Sequence, residues 1–121
     1  DEIEPQLPEA CIIYNYPSWQ SALARKRGKY ATRFEVYLKG VEIANAFDEE
    51  NNSEEIRMRW KKNNYNRIEK NRKPYPFDEQ FLSAIDKMPR CSGIALGIDR
   101  LFMILLEADC IQKIQTPYGS T

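Results

Sequence analysis

The amino-acid sequence predicts an α+β fold in which an antiparallel β-sheet is flanked by helices. Residues 33–47, RFEVYLKGVEIANAF, contain two β-rich runs around Lys39 and Gly40, a pair typical of a two-residue hairpin turn. Residues 52–73 open with capping residues and predict a weakly amphipathic, basic helix. Residues 91–108 predict a strand that runs directly into an apolar helix.

The remaining elements complete this outline. CIIYNYP, residues 11–17, predicts a buried strand that Pro17 closes, because proline lacks a backbone donor. Residues 18–30 predict a polar connection with a short helical turn. A helix is expected from Asp78 to about Met88, after the proline-containing stretch KPYPFD. The buried positions of the first of these helices are expected at Ile56, Trp60 and Ile68, and the second is expected to run through Phe81, Leu82 and Ile85.

The amino-acid composition limits the kinds of protein and of chemistry that the chain can represent. The 121 residues suit one compact core, and 18 cationic residues balance 18 acidic ones. The chain has no apolar run long enough to span a membrane. Cys11, Cys91 and Cys110 are widely spaced, which favours reduced thiols and a cytoplasmic protein. Because the chain has no histidine, its chemistry must use carboxylates, arginines, backbone groups or a hard cation.

The hairpin groups acids on one face. A strict alternation pairs Glu35 with Ala44 and places Glu42, Tyr37 and Ala46 beside them. Two interpretations remain open: a solvated face of an antiparallel sheet, or a pair of carboxylate ligands for Mg²⁺.

Asn45 does not fit a strictly alternating hairpin, because its side chain would then point into the core. The alternative is a β-bulge that turns it towards the acids. Glu49 follows the second strand and is either an ordinary loop acid or a further member of this face.

The segment SGIALGIDRL has a second unusual feature. Gly93, Ala95 and Gly97 alternate with apolar residues and leave one strand face nearly bare for a ligand. Arg100 falls in the first turn of the next helix, where the helix dipole already presents positive charge. A phosphate between the helix N-terminus and the Arg100 guanidinium would neutralise the positive charge of both. The alternative is a surface ion pair of Asp99 and Arg100. The apolar run FMILL is expected to bury this helix in the core.

GIALGIDRL resembles motif 3 of the class II aminoacyl-tRNA synthetases, and RFEVYLKGVEIANAF resembles the preceding segment of their lysyl, aspartyl and asparaginyl subgroup. YNYPSWQSALA and FLSAIDKMPRCSGIALGIDRL are similar to truncated paralogues of lysyl-tRNA synthetase that lysylate elongation factor P. Ala44 and Ala95 also resemble those paralogues; lysyl-tRNA synthetases usually carry glycine at the position of Ala95.

The resemblance implies a role for each site residue. Arg100 would grip the γ-phosphate of ATP, and Glu35 and Glu42 would hold the ATP-bound Mg²⁺. The expected substrate-binding residues are Asn45 at the α-carboxylate, Phe47 along the lysine stem, Glu49 at the ammonium, and Gly93, Ala95 and Gly97 beneath the substrate. The chain departs from the family at Ala46, Asp48 and Glu50; the two extra acids would either strengthen ammonium binding or be solvated.

The resemblance also implies the organisation and the activity. Residues 1–121 are expected to form the C-terminal half of a catalytic domain whose motifs 1 and 2 lie outside them, and to be inactive alone. The full-length protein is expected to be a homodimer that activates lysine or β-lysine with ATP and Mg²⁺ and passes it to elongation factor P. The alternatives are a lysyl-tRNA synthetase that charges tRNA and a synthetase-like module without catalysis. Residues 57–73 would contact tRNA or an acidic protein, or form a solvated helix face.

Overall fold

The structure is a computed structural model that describes residues 4–114. In this part of the chain, the main sheet has four strands in the order β1–β4–β5–β6, and every neighbouring pair is antiparallel. Three α-helices accompany this sheet within the same residues, so the α+β prediction is confirmed. The elements are β1 (Ala10–Tyr14), β2 (Lys26–Arg27), β3 (Tyr30–Ala31), β4 (Arg33–Leu38), β5 (Val41–Asp48), α1 (Ser53–Glu69), α2 (Glu79–Ile85), β6 (Ser92–Leu96) and α3 (Ile98–Leu105). The short strands β2 and β3 form a separate hairpin.

The β4–β5 hairpin turns at the predicted residues. Lys39 and Gly40 both have positive φ, 48° and 75°, as a primed two-residue turn requires. The predicted pairing of Tyr37 with Glu42 is also observed. Beyond that pair the register shifts, because Ile43 is an extra residue with no partner on β4.

The bulge at Ile43 changes which residues share a face. Glu35 pairs with Asn45, so the predicted pairing of Glu35 with Ala44 is wrong and the bulge alternative for Asn45 is confirmed. Ala44 and Ala46 were expected beside the acids, but they lie on the opposite face and are buried. One inserted residue reverses the side-chain alternation of everything that follows it.

Helix α1 begins as the sequence predicts and ends earlier. The Asn52 side chain caps it by accepting hydrogen bonds from the backbone N–H groups of Glu54 and Glu55. The helix ends at Glu69 rather than near residue 73, and Asn71 then adopts a positive φ of 55°. A left-handed residue just past a helix terminus lets the chain turn away from the helix axis.

A small core joins α1 to α2. Ile56, Leu82 and Ile85 are buried together with Phe77 packed against them, and the burial of Ile56 agrees with the prediction. Trp60 and Ile68 were also expected to be buried, but Trp60 is only half-buried and 57% of Ile68 is exposed. Phe81, on α2, is partly exposed as well.

Asn64 is buried on α1 although its side chain is polar. Its side chain donates to the Tyr75 carbonyl at 2.8 Å and accepts from the Tyr75 N–H at 2.9 Å. The segment after α1 is thereby folded back along the helix. Ile68, four residues further on and on the same side of the helix as Asn64, is nevertheless exposed.

The apolar face of the sheet is largely uncovered by the described residues. Strand β1 ends at Tyr14, three residues before Pro17, and Ile12 on this strand is 57% exposed, so the predicted burial is wrong. Helix α3 contains no buried residue, and Leu105 is 66% exposed, which corrects the expectation of a buried helix. An apolar residue is buried only where another element packs on it, and within residues 4–114 Ile12 and Leu105 remain mostly exposed.

Two further observations concern the described residues. Cys11, Cys91 and Cys110 form no disulfide with one another, in agreement with reduced thiols. Between residues 4 and 114, no helix combines the length and the apolar character that crossing a membrane requires.

Candidate functional site

The predicted site residues share one face of the sheet, in two rows that cross the strands. One row consists of Glu35 on β4, Asn45 on β5 and Ala95 on β6. The second row consists of Arg33, Phe47 and Gly93 on the same strands. Because directly paired residues project to the same side of a sheet, the bulge brings the acids and the small residues onto one surface. We call this surface the acid face.

Glu35 is held by three donors. The hydroxyls of Tyr16 and Tyr37 donate to its Oε2 atom at 2.6 and 2.9 Å, and Arg33 forms an ion pair with Oε1. Burial, together with the neighbouring Glu35 carboxylate, raises the pKa of both tyrosines well above its usual range. Both tyrosines therefore remain protonated donors at neutral pH and hold this carboxylate in one orientation.

Sequence reasoning missed Arg33 as a member of this face. Its Nη1 atom donates to the Gln20 carbonyl at 2.9 Å, and its guanidinium lies 4.3 Å from the Tyr16 ring centroid and 5.3 Å from that of Phe47. Its Nε atom is buried without a partner among the described residues. The signal was present in the sequence, because Arg33 precedes Glu35 by two positions and must project to the same side.

Arg100 and Glu42 are in direct contact. The Arg100 Nη1 atom donates to the Glu42 carbonyl at 2.8 Å and lies 3.9 Å from the Glu42 Oε2 atom. Asn45 donates from Nδ2 to the other Glu42 oxygen at 3.4 Å. The Arg100 side chain is half exposed, so part of its guanidinium remains available to an anion.

The bulge also positions the strand-to-helix turn. The backbone N–H of Gly97, the residue that precedes α3, donates to the carbonyl of Ile43 at 2.8 Å. A Cβ atom at Gly97 would lie 3.5 Å from both this carbonyl oxygen and the Arg100 Cδ atom, which is ordinary contact. The extra residue on β5 therefore places the first turn of α3, and with it Arg100, above Glu42.

Glu49 projects over Gly93. Its N–H donates to the Cys91 carbonyl at 3.0 Å, and its own carbonyl accepts from the Arg25 Nε atom at 3.1 Å. A Cβ atom at Gly93 would come within 2.7 Å of the Glu49 Oε1 atom, so glycine is needed for the carboxylate to lie here. Burial, and secondarily the charge of Asp48, raises the pKa of Glu49.

The two acids that flank Glu49 have arginine partners. Asp48 lies 3.8 Å from Arg25 and 3.7 Å from Arg90, and Glu50 lies 3.2 Å from Arg59. Glu49 has no such ion pair among residues 4–114. It is therefore the acid of this group whose charge no arginine within residues 4–114 neutralises.

Glu42 fits the predicted Mg²⁺ role better than Glu35 does. A carboxylate offers about four acceptor positions, and three of those on Glu35 are occupied, which leaves one on Oε1. Glu42 is more open, and the carbonyl oxygen of Asn45 is a further hard donor close to it. No cluster of three or more acidic, cysteine or histidine ligands exists within residues 4–114, so a magnesium ion would need oxygens from its substrate.

The antiparallel sheet and its helices are consistent with part of a class II synthetase-like domain. The family model for tRNA synthetases class II (D, K and N) matches residues 2–118, and the chain belongs to this family. It is similar to the elongation factor P–(R)-β-lysine ligase of Vibrio parahaemolyticus, with 43% identity over 107 residues that cover 85% of the chain and 33% of the relative.

Two further relatives have similar names. The ligase of Haemophilus ducreyi is 43% identical over 106 residues, which cover 84% of the chain and 32% of the relative. The ligase homologue of Aquifex aeolicus is 44% identical over 95 residues, which cover 78% of the chain and 30% of the relative. The chain thus spans about a third of the length of the curated relatives that it matches.

Proposed function

We propose that the protein containing this chain is a ligase that activates (R)-β-lysine or lysine with ATP and Mg²⁺ and transfers it to elongation factor P. The observation that carries this proposal is the Glu49 carboxylate, which lies over Gly93 without an ion-pair partner among the described residues. An anionic group at this end of the acid face suits a substrate that ends in an ammonium group and disfavours one that ends in a carboxylate.

The acid face then accommodates the rest of the amino acid. Phe47 precedes Glu49 on the same side and packs against the aliphatic stem, while Gly93 leaves room for the Glu49 carboxylate that meets the ammonium. Asn45 lies further along the sheet, next to Ala95, and donates to the substrate carboxylate. Ala95 is a specificity residue in this proposal, because its methyl group lies where the α- and β-amino groups of the two substrates differ in position.

Arg100 and Glu42 serve the triphosphate end. The substrate carboxylate attacks the α-phosphate of ATP, an aminoacyl-adenylate forms, and pyrophosphate leaves. Arg100, in the first turn of α3, neutralises charge on the phosphates that depart. Glu42, with Glu35 behind it, would hold Mg²⁺, which neutralises further phosphate charge when it is bound. No side-chain nucleophile is needed, since the reaction depends on alignment and charge neutralisation.

The proposal extends to the organisation of the protein. Residues 1–121 form the C-terminal half of the catalytic domain, and the full-length protein is a homodimer. The names of the relatives support a protein acceptor rather than tRNA, and the shared family supports the use of ATP.

The test is ATP–pyrophosphate exchange by the full-length protein with (R)-β-lysine and with lysine, followed by transfer of the labelled amino acid. We expect exchange to depend on one of these amino acids, and label to appear on elongation factor P and not on tRNA. Aspartate and asparagine are the matched control substrates. Exchange with aspartate, or label on tRNA alone, would show that the assignment is wrong.

A further inference from the structure

We infer that a groove along α1, away from the acid face, binds an extended acidic peptide with an apolar residue at one end. The groove has a volume of about 570 Å³, within the usual range of ligand-binding clefts. Its residues are Ala22, Leu23, Ile56, Arg59, Trp60, Asn63, Asn66, Arg67, Lys70, Arg72, Tyr75 and Phe81. None of the site residues discussed above lines it.

The charges of this region are unevenly distributed. The chain as a whole is neutral, but residues 57–73 contain eight lysines and arginines and a single acid, Glu69. Arg59, at the end of the groove near Leu23, is neutralised by Glu50 and Glu55.

At the opposite end of the groove, the side chains of Lys70 and Arg72 have no partner within residues 4–114. Arg67 adds a third cation there and lies 3.8 Å from the Tyr75 ring centroid. The groove is therefore neutral and apolar at one end and cationic at the other.

The polar lining suits a peptide backbone. Asn63 and Asn66 project from α1 into the groove, and their side-chain amides have no partner among the described residues. An amide group offers a donor and an acceptor together, which matches the alternating groups of an extended peptide. From Ile56 to Lys70 the groove follows α1 for roughly 21 Å at 1.5 Å per residue, about the span of six extended residues.

A nucleic-acid strand fits less well. Single-stranded RNA carries a phosphate at every nucleotide and requires cations along the whole groove. Here the unneutralised cations are confined to one end, and the acids Glu50 and Glu55 lie at the other. A peptide whose carboxylates follow an apolar anchor places its charge only where Arg67, Lys70 and Arg72 lie.

The test is a fluorescence-polarisation titration of the full-length protein with a labelled octapeptide that has leucines at one end and glutamates at the other. We expect Lys70→Gln with Arg72→Gln to weaken binding about tenfold. The matched control, Lys61→Gln with Lys62→Gln, removes the same charge from exposed positions of α1 outside the groove and should change the affinity less than twofold.

A second pair of variants tests the apolar end. Leu23→Ala removes a groove side chain and should weaken binding several-fold, whereas Met58→Ala, at an exposed position of α1 outside the groove, should not. Circular dichroism of each variant confirms that it is folded.

Four outcomes would overturn the inference. Absence of peptide binding would do so, as would equal losses in the two charge variants, which would indicate diffuse attraction to a basic helix. Equal binding of a peptide with serines in place of leucines would also contradict it. Tighter binding of labelled octauridylate than of the peptide would assign the groove to RNA instead.

Discussion

Gly93→Ala tests the position of Glu49 most directly. An alanine Cβ would lie 2.7 Å from the Glu49 Oε1 atom, so the carboxylate must move about 0.7 Å to reach the ordinary contact distance of 3.4 Å. The end of a flexible side chain can make this movement, and Gly93 does not have a positive φ, so the free energy of unfolding should change by less than about 1 kcal/mol.

Binding of the substrate ammonium should be affected more than folding. A hydrogen bond to a charged group contributes about 1.5–3 kcal/mol, and 1.4 kcal/mol corresponds to a factor of ten in affinity. Complete loss of the contact would therefore raise the KM for the amino acid by about 10- to 100-fold. Because the carboxylate is displaced and not removed, we expect Gly93→Ala to give about a tenfold increase, with kcat changed less.

The assay is amino-acid-dependent ATP–pyrophosphate exchange by the full-length protein over a range of amino-acid concentrations. Ser92→Ala is the matched control, because Ser92 precedes Gly93 on β6 and projects to the other side of the sheet. In Gly93→Ala, the further change Glu49→Asp shortens the acid and should relieve the contact, so the two effects should not add. An unchanged KM in Gly93→Ala, or a loss confined to kcat, would refute this placement of Glu49.

Four further predictions concern the same surface. Arg100→Ala should lower kcat/KM for exchange by about 10- to 100-fold, with little change in urea unfolding, because the side chain is half exposed; unchanged exchange would contradict its phosphate role. Arg33→Met should lower the free energy of unfolding by about 3 kcal/mol in urea titrations, because it leaves the Glu35 carboxylate, 14% exposed, without its cation; wild-type stability would contradict this. Protonation of Glu49 should raise the KM for the amino acid as the pH falls. Because the pKa of Glu49 is raised, this increase should begin at a higher pH than it would for a carboxylate with an ordinary pKa. Asp48→Asn removes a neighbouring negative charge and should shift the increase to lower pH; a KM that does not change with pH would contradict the role of Glu49. The raised pKa also means that charged Glu49 destabilises the fold at neutral pH, so Glu49→Gln should raise the Tm there but not under acidic conditions.

Much of the architecture could be predicted because it depends on near neighbours in the sequence. The Lys39–Gly40 turn, the Asn52 cap and the start of α3 before Arg100 each require particular residues within a few positions. Arg33 was missed, although the same two-residue period that relates Glu35 to Tyr37 points to it. The contact of Tyr16 with Glu35 had no local signal, because Tyr16 lies in the connection after β1 and reaches the carboxylate only through the fold.

The sequence by itself determined the hairpin, the helix starts and the positions of the charged residues, because turn and capping preferences act over a few residues. Only the tertiary structure decided which residues share the acid face. The bulge at Ile43 moves Asn45 beside Glu35 and turns Ala44 to the opposite face. The Ile43 carbonyl then accepts a hydrogen bond from the Gly97 N–H. The burial of Asn64 was likewise decided by the returning segment at Tyr75. A local pattern states that a residue is apolar or polar, but its burial depends on which distant element packs against it.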